Sequence, residues 1–370
     1  MSVKVGVIGG GQLARMMIPP ALNLGIDIRV LAEAEGSPAD LAATVVGDYR
    51  SIEQVLAFAR QVDVVTFDHE HVPQDVLQAM VADGIAVHPG PHALLFAQDK
   101  LQMRERLAEL GLPMPAWARV ANVGDVDDFL ATHNGVGVLK TPRGGYDGKG
   151  VLIVRAGAEA AQWLTDGELL IEELVDFRRE LAQSVARNSS GDVALWPVVE
   201  SIQRNSVCAE VVAPAPQLST ELAEQAASIA RTIADGLDVT GVLAVELFET
   251  SDGRIIINEL AMRPHNTGHW SIDGCQTSQF EQHLRAVLNL PLGATAARDE
   301  WSVMVNILGG PVGQEMHERI AAATVASPAI KIHDYSKQSR PGRKVGHVTA
   351  SGADLDFVRS AARAAAAEFE

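Results

Sequence analysis

Thr141-Pro142-Arg143-Gly144-Gly145-Tyr146-Asp147-Gly148-Lys149-Gly150 is the stretch on which the reading of the fold turns. It holds four glycines in ten residues, so bare backbone N–H groups can approach a polyanion, and Lys149 adds a mobile positive charge. An apolar run with Val136, Val138 and Leu139 precedes it, ends in Lys140 and reads as a strand. Residues 151–154, Val-Leu-Ile-Val, read as another. The loop therefore joins two strands of a hairpin and does not open a helix, unlike the Gly-Lys-Ser/Thr phosphate loop. A glycine flap flanked by Lys140 and Lys149 has the chemistry of a lid over nucleotide phosphates.

A second hairpin lies further along. Residues 241–248 form an apolar strand that contains Glu246, and residues 255–260 form another that contains Asn258 and Glu259. Ser251-Asp252-Gly253 turns the chain between them. Pairing about that turn sets Glu246 roughly opposite Glu259. Carboxylates inside apolar strands are costly to bury unless a cation compensates them. Two carboxylates and an amide oxygen are the hard oxygen donors that magnesium takes, with nucleotide phosphates completing its shell. Arg263-Pro264-His265-Asn266-Thr267-Gly268-His269-Trp270 follows as a rigid polar loop beside that metal. Between the hairpins, residues 169–175 read as an apolar strand running into Glu172 and Glu173. Taken singly, Glu172, Glu173 and Glu180 read as solvated charges at strand ends.

Toward the N-terminus, strands alternate with helices: strands at 3–8, 27–31, 45–46 and 62–67, helices at 12–24 and 52–61. This pattern predicts a parallel sheet covered on both faces. Such sheets bind ligands at the carboxyl ends of their strands, where Gly9-Gly10-Gly11 and Asp68-His69-Glu70-His71 both fall. Gly9 to Ala14 fits G-x-G-x-x-A, and Glu33 lies near the distance expected of a ribose-binding acid, but any anion at a helix N-terminus uses such a turn. A charged helix over 99–110 begins the next unit. The boundaries expected are 1–98 for an N-terminal α/β domain, 99–290 for the unit with the flap, and 291–370 for a C-terminal region. In that last region Arg340, Arg343 and Lys344 crowd a tight turn, a phosphate-monoester site by its chemistry. The Ala-rich end over 361–370 suggests a helix end without evident function.

Composition narrows the classes. The net charge of −17 over 370 residues argues against a nucleic-acid or anionic-membrane surface. Any phosphate must then be held by local arginines and lysines. Cys208 and Cys275 stand far apart in no metal spacing and read as reduced core thiols. No stretch approaches the about 18 apolar residues of a membrane span. A soluble, cytoplasmic protein is expected.

Gly9-Gly10-Gly11-Gln12-Leu13-Ala14-Arg15-Met16, the 144–150 flap, Asn258-Glu259-Leu260-Ala261-Met262-Arg263-Pro264-His265-Asn266-Thr267-Gly268-His269 and Arg340-Pro341-Gly342-Arg343-Lys344-Val345-Gly346-His347 together closely resemble the 5-(carboxyamino)imidazole ribonucleotide synthases of the ATP-grasp superfamily. The resemblance spans nearly the whole chain. Ala14 stands where that family usually has Gly, Asp68 where it has Glu, Met262 where it often has Pro, and Thr267 for Ser. It implies an α/β protein: an ATP-grasp fold preceded by a Rossmann-like parallel-sheet domain, with a small C-terminal region. It also implies a ligase that uses ATP, Mg2+ and bicarbonate to carboxylate 5-aminoimidazole ribonucleotide, in a cytoplasmic homodimer that binds neither nucleic acid nor membrane.

The same resemblance distributes the site residues. It places Lys100, Lys140, Gly145, Tyr146, Asp147, Gly148, Lys149, Gly150, Val151, Glu172, Glu173, Leu174, Val175, Glu180, Gln203, Asn258 and Glu259 around the nucleotide. Glu246 and Glu259 would carry the metal. Arg263, His265, Asn266 and Lys344 would surround bicarbonate and the acceptor, with Asp147 and Glu70 touching the aminoimidazole. Gly10, Gly11, Gln12, Arg340 and Lys344 would meet the ribonucleotide phosphate. Three alternatives remain open at this point: a formate-dependent glycinamide ribonucleotide transformylase, an NAD-dependent oxidoreductase, and a nucleotide-binding regulator without catalysis.

Overall fold

A strand inside a parallel sheet is apolar on both faces, and Val5, Val7 and Ile8 have no exposed surface in the computed structural model, which describes residues 2–145, 150–310 and 316–369. That strand is β1 (Lys4–Ile8). It leads through the glycine turn to α1 (Gln12–Asn23), β2 (Asp27–Ala32), β3 (Ala43–Val46), α2 (Ile52–Ala59), β4 (Val64–Phe67) and α3 (Gln74–Ala82). The strands are parallel in the order β3-β2-β1-β4. Val55 and Phe58 of α2 with Val76 and Leu77 of α3 cover one face. Leu13, Met17 and Ala21 of α1 cover the other, joined there by Phe280 and Leu284 from far along the chain.

Next, α4 (Pro91–Gln98) meets α5 (Lys100–Glu109) at Asp99, whose carboxylate accepts from the N–H groups of Leu101 and Gln102 and so caps α5. A small antiparallel sheet comes from β5 (Trp117–Val120), β6 (Gly137–Lys140), β7 (Val151–Val154) and β8 (Leu169–Glu173), with α6 (Val123–Thr132) between β5 and β6. Its order is β5-β8-β6-β7. The flap hairpin is as expected: β6 and β7 are antiparallel, with Lys140 opposite Val151. Tyr146, Asp147, Gly148 and Lys149 lie outside the described residues.

The rest of the chain builds one long sheet. Its elements in order are β9 (Phe177–Arg187), β10 (Val193–Leu195), β11 (Val199–Arg204), β12 (Val207–Ala213), α7 (Thr220–Gly236), β13 (Gly241–Thr250) and β14 (Ile255–Ala261). There follow α8 (Ser271–Gly274), α9 (Gln279–Val287), β15 (Trp301–Leu308), α10 (Met316–Ala326), β16 (Lys331–Asp334), β17 (Lys344–Gly352) and α11 (Leu355–Ala367). The order is β14-β13-β9-β11-β12-β15-β17-β16, with β10 on β9. Because β12 pairs with β15, the C-terminal strands continue the sheet that carries β13 and β14. The helix end that seemed idle in the sequence has a fastening: Arg359 and Arg363 of α11 donate to the two oxygens of buried Glu210 on β12, at 2.8 and 2.6 Å.

Helix α9 pins the first domain to this sheet. Its His283 is fully buried, accepts from the Val242 N–H at Nδ1 (3.0 Å) and lies 2.7 Å from Thr66 Oγ1 through Nε2. The Val242 N–H can only donate, so the imidazole proton sits on Nε2, toward β4. Burial drives the pKa of His283 down to about 3.

Candidate active site

The three sheets enclose a cleft of about 780 Å³. On its floor β13 pairs with β14, and Glu246 stands opposite Glu259 as the turn predicts. The ladder shifts register beside Glu246, leaving Asn258 as an extra residue on β14. In a regular strand Asn258 and Glu259 would face opposite sides. A bulge re-aims side chains, and here both residues line the cleft with Glu246. Their oxygens suit a magnesium ion shared with phosphate oxygens. Among the described residues no three His, Cys, Asp or Glu side chains gather into an all-protein metal site. Each acid already faces a nitrogen base: Glu259 Oε1 lies 3.4 Å from Lys100 Nζ, and Glu246 Oε1 lies 3.2 Å from His265 Nε2. Burial raises the pKa of Glu246, but the hydrogen bond from His265, with the charges of Lys344 and Arg263, outweighs it and holds the carboxyl below its ordinary range.

The flap end of the cleft is a network of charges. Lys140 Nζ donates to Glu172 Oε2 at 2.7 Å and to Asn258 Oδ1 at 3.4 Å. Glu172 is not a solvated strand end: it is buried, and Arg104, which has no exposed surface, donates to its Oε1 at 2.6 Å. The same guanidinium donates to the carbonyls of Ile257 and Asn258 at 3.2 and 2.6 Å, holding the bulge in place. Burial pushes the Glu172 carboxyl up, yet Arg104 and Lys140 prevail and lower it. Lys100 ties the flap root to the floor, donating from Nζ to the Gly144 carbonyl at 3.0 Å and from its main chain to the Pro142 carbonyl at 2.9 Å. Glu173 accepts from the Ala116 N–H at 3.0 Å, and Gln203 donates to Glu180 at 3.0 Å. Burial, then the like charge of Glu246, raise the pKa of Glu180. Gly145, Val151, Leu174 and Val175 also line this end; Gly150 sits behind it, where a Cβ would meet Thr141 Oγ1 at 2.5 Å.

At the other end, Glu70 is buried and accepts from the Met262 N–H at 2.7 Å and from Arg263 Nε at 2.9 Å. It thus anchors the loop that carries Arg263 and His265. Asn266 exchanges hydrogen bonds with Asn306 of β15, at 3.2 and 2.8 Å. Lys344 enters with Gly342 and Arg343, and Lys337 donates to Gln12 Oε1. Arg340 is exposed and off the cleft wall. Gly10 and Gly11 also lie off the wall, packed against the chain beneath Gln12. A Cβ on Gly11 would fall 2.1 Å from Asp68 Oδ2, and one on Gly10 would fall 2.7 Å from Ala32 Cβ. Asp68 Oδ1 accepts the Ala14 N–H at 2.8 Å, so the turn's helix N-terminus is already capped by a carboxylate, a poor host for dinucleotide phosphate. Both cysteines are free and buried; Cys208 borders the cleft, but burial pushes its thiol up to about 11.

Three family models match consecutive parts of the chain: the ribonucleotide synthetase preATP-grasp domain over residues 1–98, the ATP-grasp domain over 105–280 and the phosphoribosylaminoimidazole carboxylase C-terminal domain over 302–361. The N5-carboxyaminoimidazole ribonucleotide synthase of Mycobacterium tuberculosis is 48% identical over 360 residues, 95% of this chain and 84% of that one. The chain belongs to the N5-carboxyaminoimidazole ribonucleotide synthase family. Another member, from Corynebacterium ammoniagenes, is 47% identical across 98% of this chain and 91% of its own. The solved synthetase of Thermus thermophilus superposes with a TM-score of 0.90 at 34% identity, covering 99% of this chain and 98% of that one. A synthase from Aspergillus clavatus in complex with ADP and 5-aminoimidazole ribonucleotide superposes at 0.89 and 32% identity, again covering 99% and 98%.

Several residues in or behind the cleft wall escaped the sequence reading. Arg104 had a signal: Leu101, Arg104 and Leu107 recur at three-residue spacing on one helix face, and all three are buried. Lys337 had a faint one, since Tyr335-Ser336-Lys337 leads into the basic turn at Arg340; Asn306 had none, because it meets Asn266 only where β15 joins the long sheet.

Proposed function

We propose that this cleft carries out the ATP- and bicarbonate-dependent carboxylation of 5-aminoimidazole ribonucleotide to 5-(carboxyamino)imidazole ribonucleotide, a step of purine biosynthesis. The observation that carries the reading is the facing of Glu246 and Glu259 on the cleft floor, with Lys100 and Lys140 to one side and Arg263 and His265 to the other. The Aspergillus clavatus relative, whose complex holds ADP and 5-aminoimidazole ribonucleotide, supports the same choice of ligands. No helix among the described residues is long and apolar enough to cross a membrane.

In this reading Lys140 and Lys100 hold the ATP phosphates, with Glu172, Glu173, Leu174, Val175, Glu180 and Gln203 around the nucleoside and Asn258 at the phosphate end. Lys149, Asp147, Tyr146 and Gly148 of the flap, outside the described residues, belong to the same proposal. Magnesium held by Glu246 and Glu259 would neutralise the phosphate charge. Arg263, His265 and Asn266 orient bicarbonate so that one of its oxygens attacks the terminal phosphorus of ATP, breaking the bond to ADP and forming carboxyphosphate. The carboxyl group then passes to the exocyclic amine, releasing phosphate and one proton. Lys344, Lys337 and Gln12 bind the ribonucleotide, and Glu70 keeps Arg263 in position. Carboxyphosphate decomposes in water, so the flap must close before the phosphoryl group moves. The domain limits at 98 and 290, a homodimer and a cytoplasmic setting belong to the same proposal on the strength of the family likeness.

The test is ADP formation with ATP, magnesium, bicarbonate and 5-aminoimidazole ribonucleotide, each omitted in turn. Release that requires both bicarbonate and the ribonucleotide supports the carboxylase; release that requires formate and glycinamide ribonucleotide instead overturns it.

A further inference from the structure

Gln279 opens α9, and its side chain has no exposed surface. Its carboxamide is used at both ends. Oε1 accepts from the N–H of His265 at 2.9 Å, while Nε2 donates to the His265 carbonyl at 2.8 Å and reaches Nδ1 of His269 at 2.8 Å. A backbone N–H only donates and a carbonyl only accepts, so the amide has a single workable orientation. Its second hydrogen therefore goes to His269, which makes Nδ1 the bare nitrogen and puts the proton of that buried imidazole on Nε2. The Gln279 N–H is received by Ser271 Oγ at 2.9 Å, and that hydroxyl donates to the Gly268 carbonyl at 2.6 Å. The loop passes so close that a Cβ on Gly268 would fall 2.4 Å from Gln279 Oε1. Only glycine permits that approach.

The segment gripped in this way carries His265. Its Nδ1 accepts from the Thr267 N–H at 3.4 Å and lies 2.9 Å from Thr267 Oγ1, leaving Nε2 to face Glu246 at 3.2 Å. The flap end has no such dependence, since Lys140, Glu172 and Arg104 hold one another. We infer that Gln279 is a positioning residue for the acceptor half of the reaction: it pins the main chain of His265 on both sides and, through His269, the far end of the same turn. This rests on the assignment of His265 to the acceptor side.

Two variants test it. Gln279→Glu keeps the size and the acceptor for the His265 N–H, but turns an oxygen toward the His265 carbonyl and toward His269 Nδ1. Gln279→Met keeps roughly the volume and removes all three bonds. In both, turnover dependent on bicarbonate and ribonucleotide should fall by about thirtyfold or more, the scale of a misplaced reacting group, while the KM for ATP stays within about twofold. In protein labelled with 15N-histidine, His269 should carry its proton on Nε2 in the wild type and on Nδ1 in Gln279→Glu. Wild-type turnover in Gln279→Met overturns the inference, as does a KM for ATP that rises in step with the loss of turnover. A wild-type His269 protonated on Nδ1 overturns it as well. Should Gln279→Glu fail to fold, Gln279→Met decides by the same kinetic criterion. His265→Ala separates the two layers of the argument: full turnover there overturns the acceptor-side assignment itself, whereas a dead His265→Ala beside a fully active Gln279→Met overturns only the role of Gln279.

Discussion

The two ends of the cleft are held together by different chemistry. At the flap end, partners sit on neighbouring strands or on the helix packed against them, and charge holds charge: Lys140 on Glu172, Arg104 on Glu172, Lys100 on Glu259. At the acceptor end, groups from remote parts of the chain meet, Glu70 with Met262 across 192 positions and Gln12 with Lys337 across 325. There the loop is held largely by neutral amides, Gln279 beneath His265 and Asn306 against Asn266. The flap end is thus preorganised by charge pairing and carries its own electrostatic stabilisation. The acceptor end exists only while the first domain, the long sheet and α9 remain docked.

Substitutions can break this contrast. Glu259→Gln strikes the floor common to both ends, removing half of the proposed metal charge and the partner of Lys100. Turnover should fall by about a hundredfold or more, as when a preorganised charge contact is lost, with unchanged circular dichroism. Retention above about a tenth of wild-type activity would remove Glu259 from the metal site. Arg104→Leu attacks the flap end and the bulge beneath it. It leaves Glu172 with Lys140 as its remaining cation and two buried carbonyls without their donor, and should cost about 3–5 kcal/mol in urea unfolding, the range for breaking a buried ion pair from one side. A loss under about 1 kcal/mol would mean that water satisfies those groups. Lys344→Ala attacks the acceptor end alone: kcat/KM for the ribonucleotide should fall about thirtyfold, the worth of one charged hydrogen bond, while the KM for ATP barely moves. Equal losses for both substrates would move Lys344 into the nucleotide site.

The docking between the ends has its own pH signature. His283, which joins β4 to β13, has a folded pKa of about 3 against an ordinary 6.5, depressed by burial and then by the charge of His88. Below pH 6.5 the unfolded chain takes up a proton there and the folded chain does not, so stability declines as pH falls from 6.5 toward 3. The slope is about 1.4 kcal/mol per pH unit for each such histidine, and His69, whose pKa burial drives down to about 4, acts in the same sense. Glu172 and Glu246, whose pKa values are lowered, add stability that is lost only at more acid pH, as each carboxylate is protonated. Urea midpoints should therefore change little between pH 7.5 and 6.5 and fall steadily from there to pH 5, and a flat profile over that lower range would contradict the neutral buried imidazoles.

Part of this site was visible in the residues, because hairpin pairing leaves local signs. The Ser251-Asp252-Gly253 turn sets the register that brings Glu246 opposite Glu259, and the glycines after Lys140 announce a hairpin flap. Alternating strands and helices disclosed the parallel N-terminal sheet. Glu172 misled: read singly, a glutamate at a strand end belongs in water, and only the arrival of Arg104 and Lys140 makes its burial tolerable. The glycine turn was a weaker sign: its pattern fits any anion, and Asp68, brought from β4 by the sheet, accepts the Ala14 N–H at the helix terminus behind it.

By itself, then, the sequence determined the elements, the hairpin registers and the inventory of charged groups, since propensity, turn chemistry and strand alternation act over a few residues. The tertiary structure alone decided which charges are buried together, that a bulge at Asn258 turns two adjacent side chains into one cleft, and that Gln279, Asn306 and Lys337 belong to the site. Those outcomes depend on contacts between residues tens to hundreds of positions apart, and no local pattern encodes a partner that packing supplies from elsewhere.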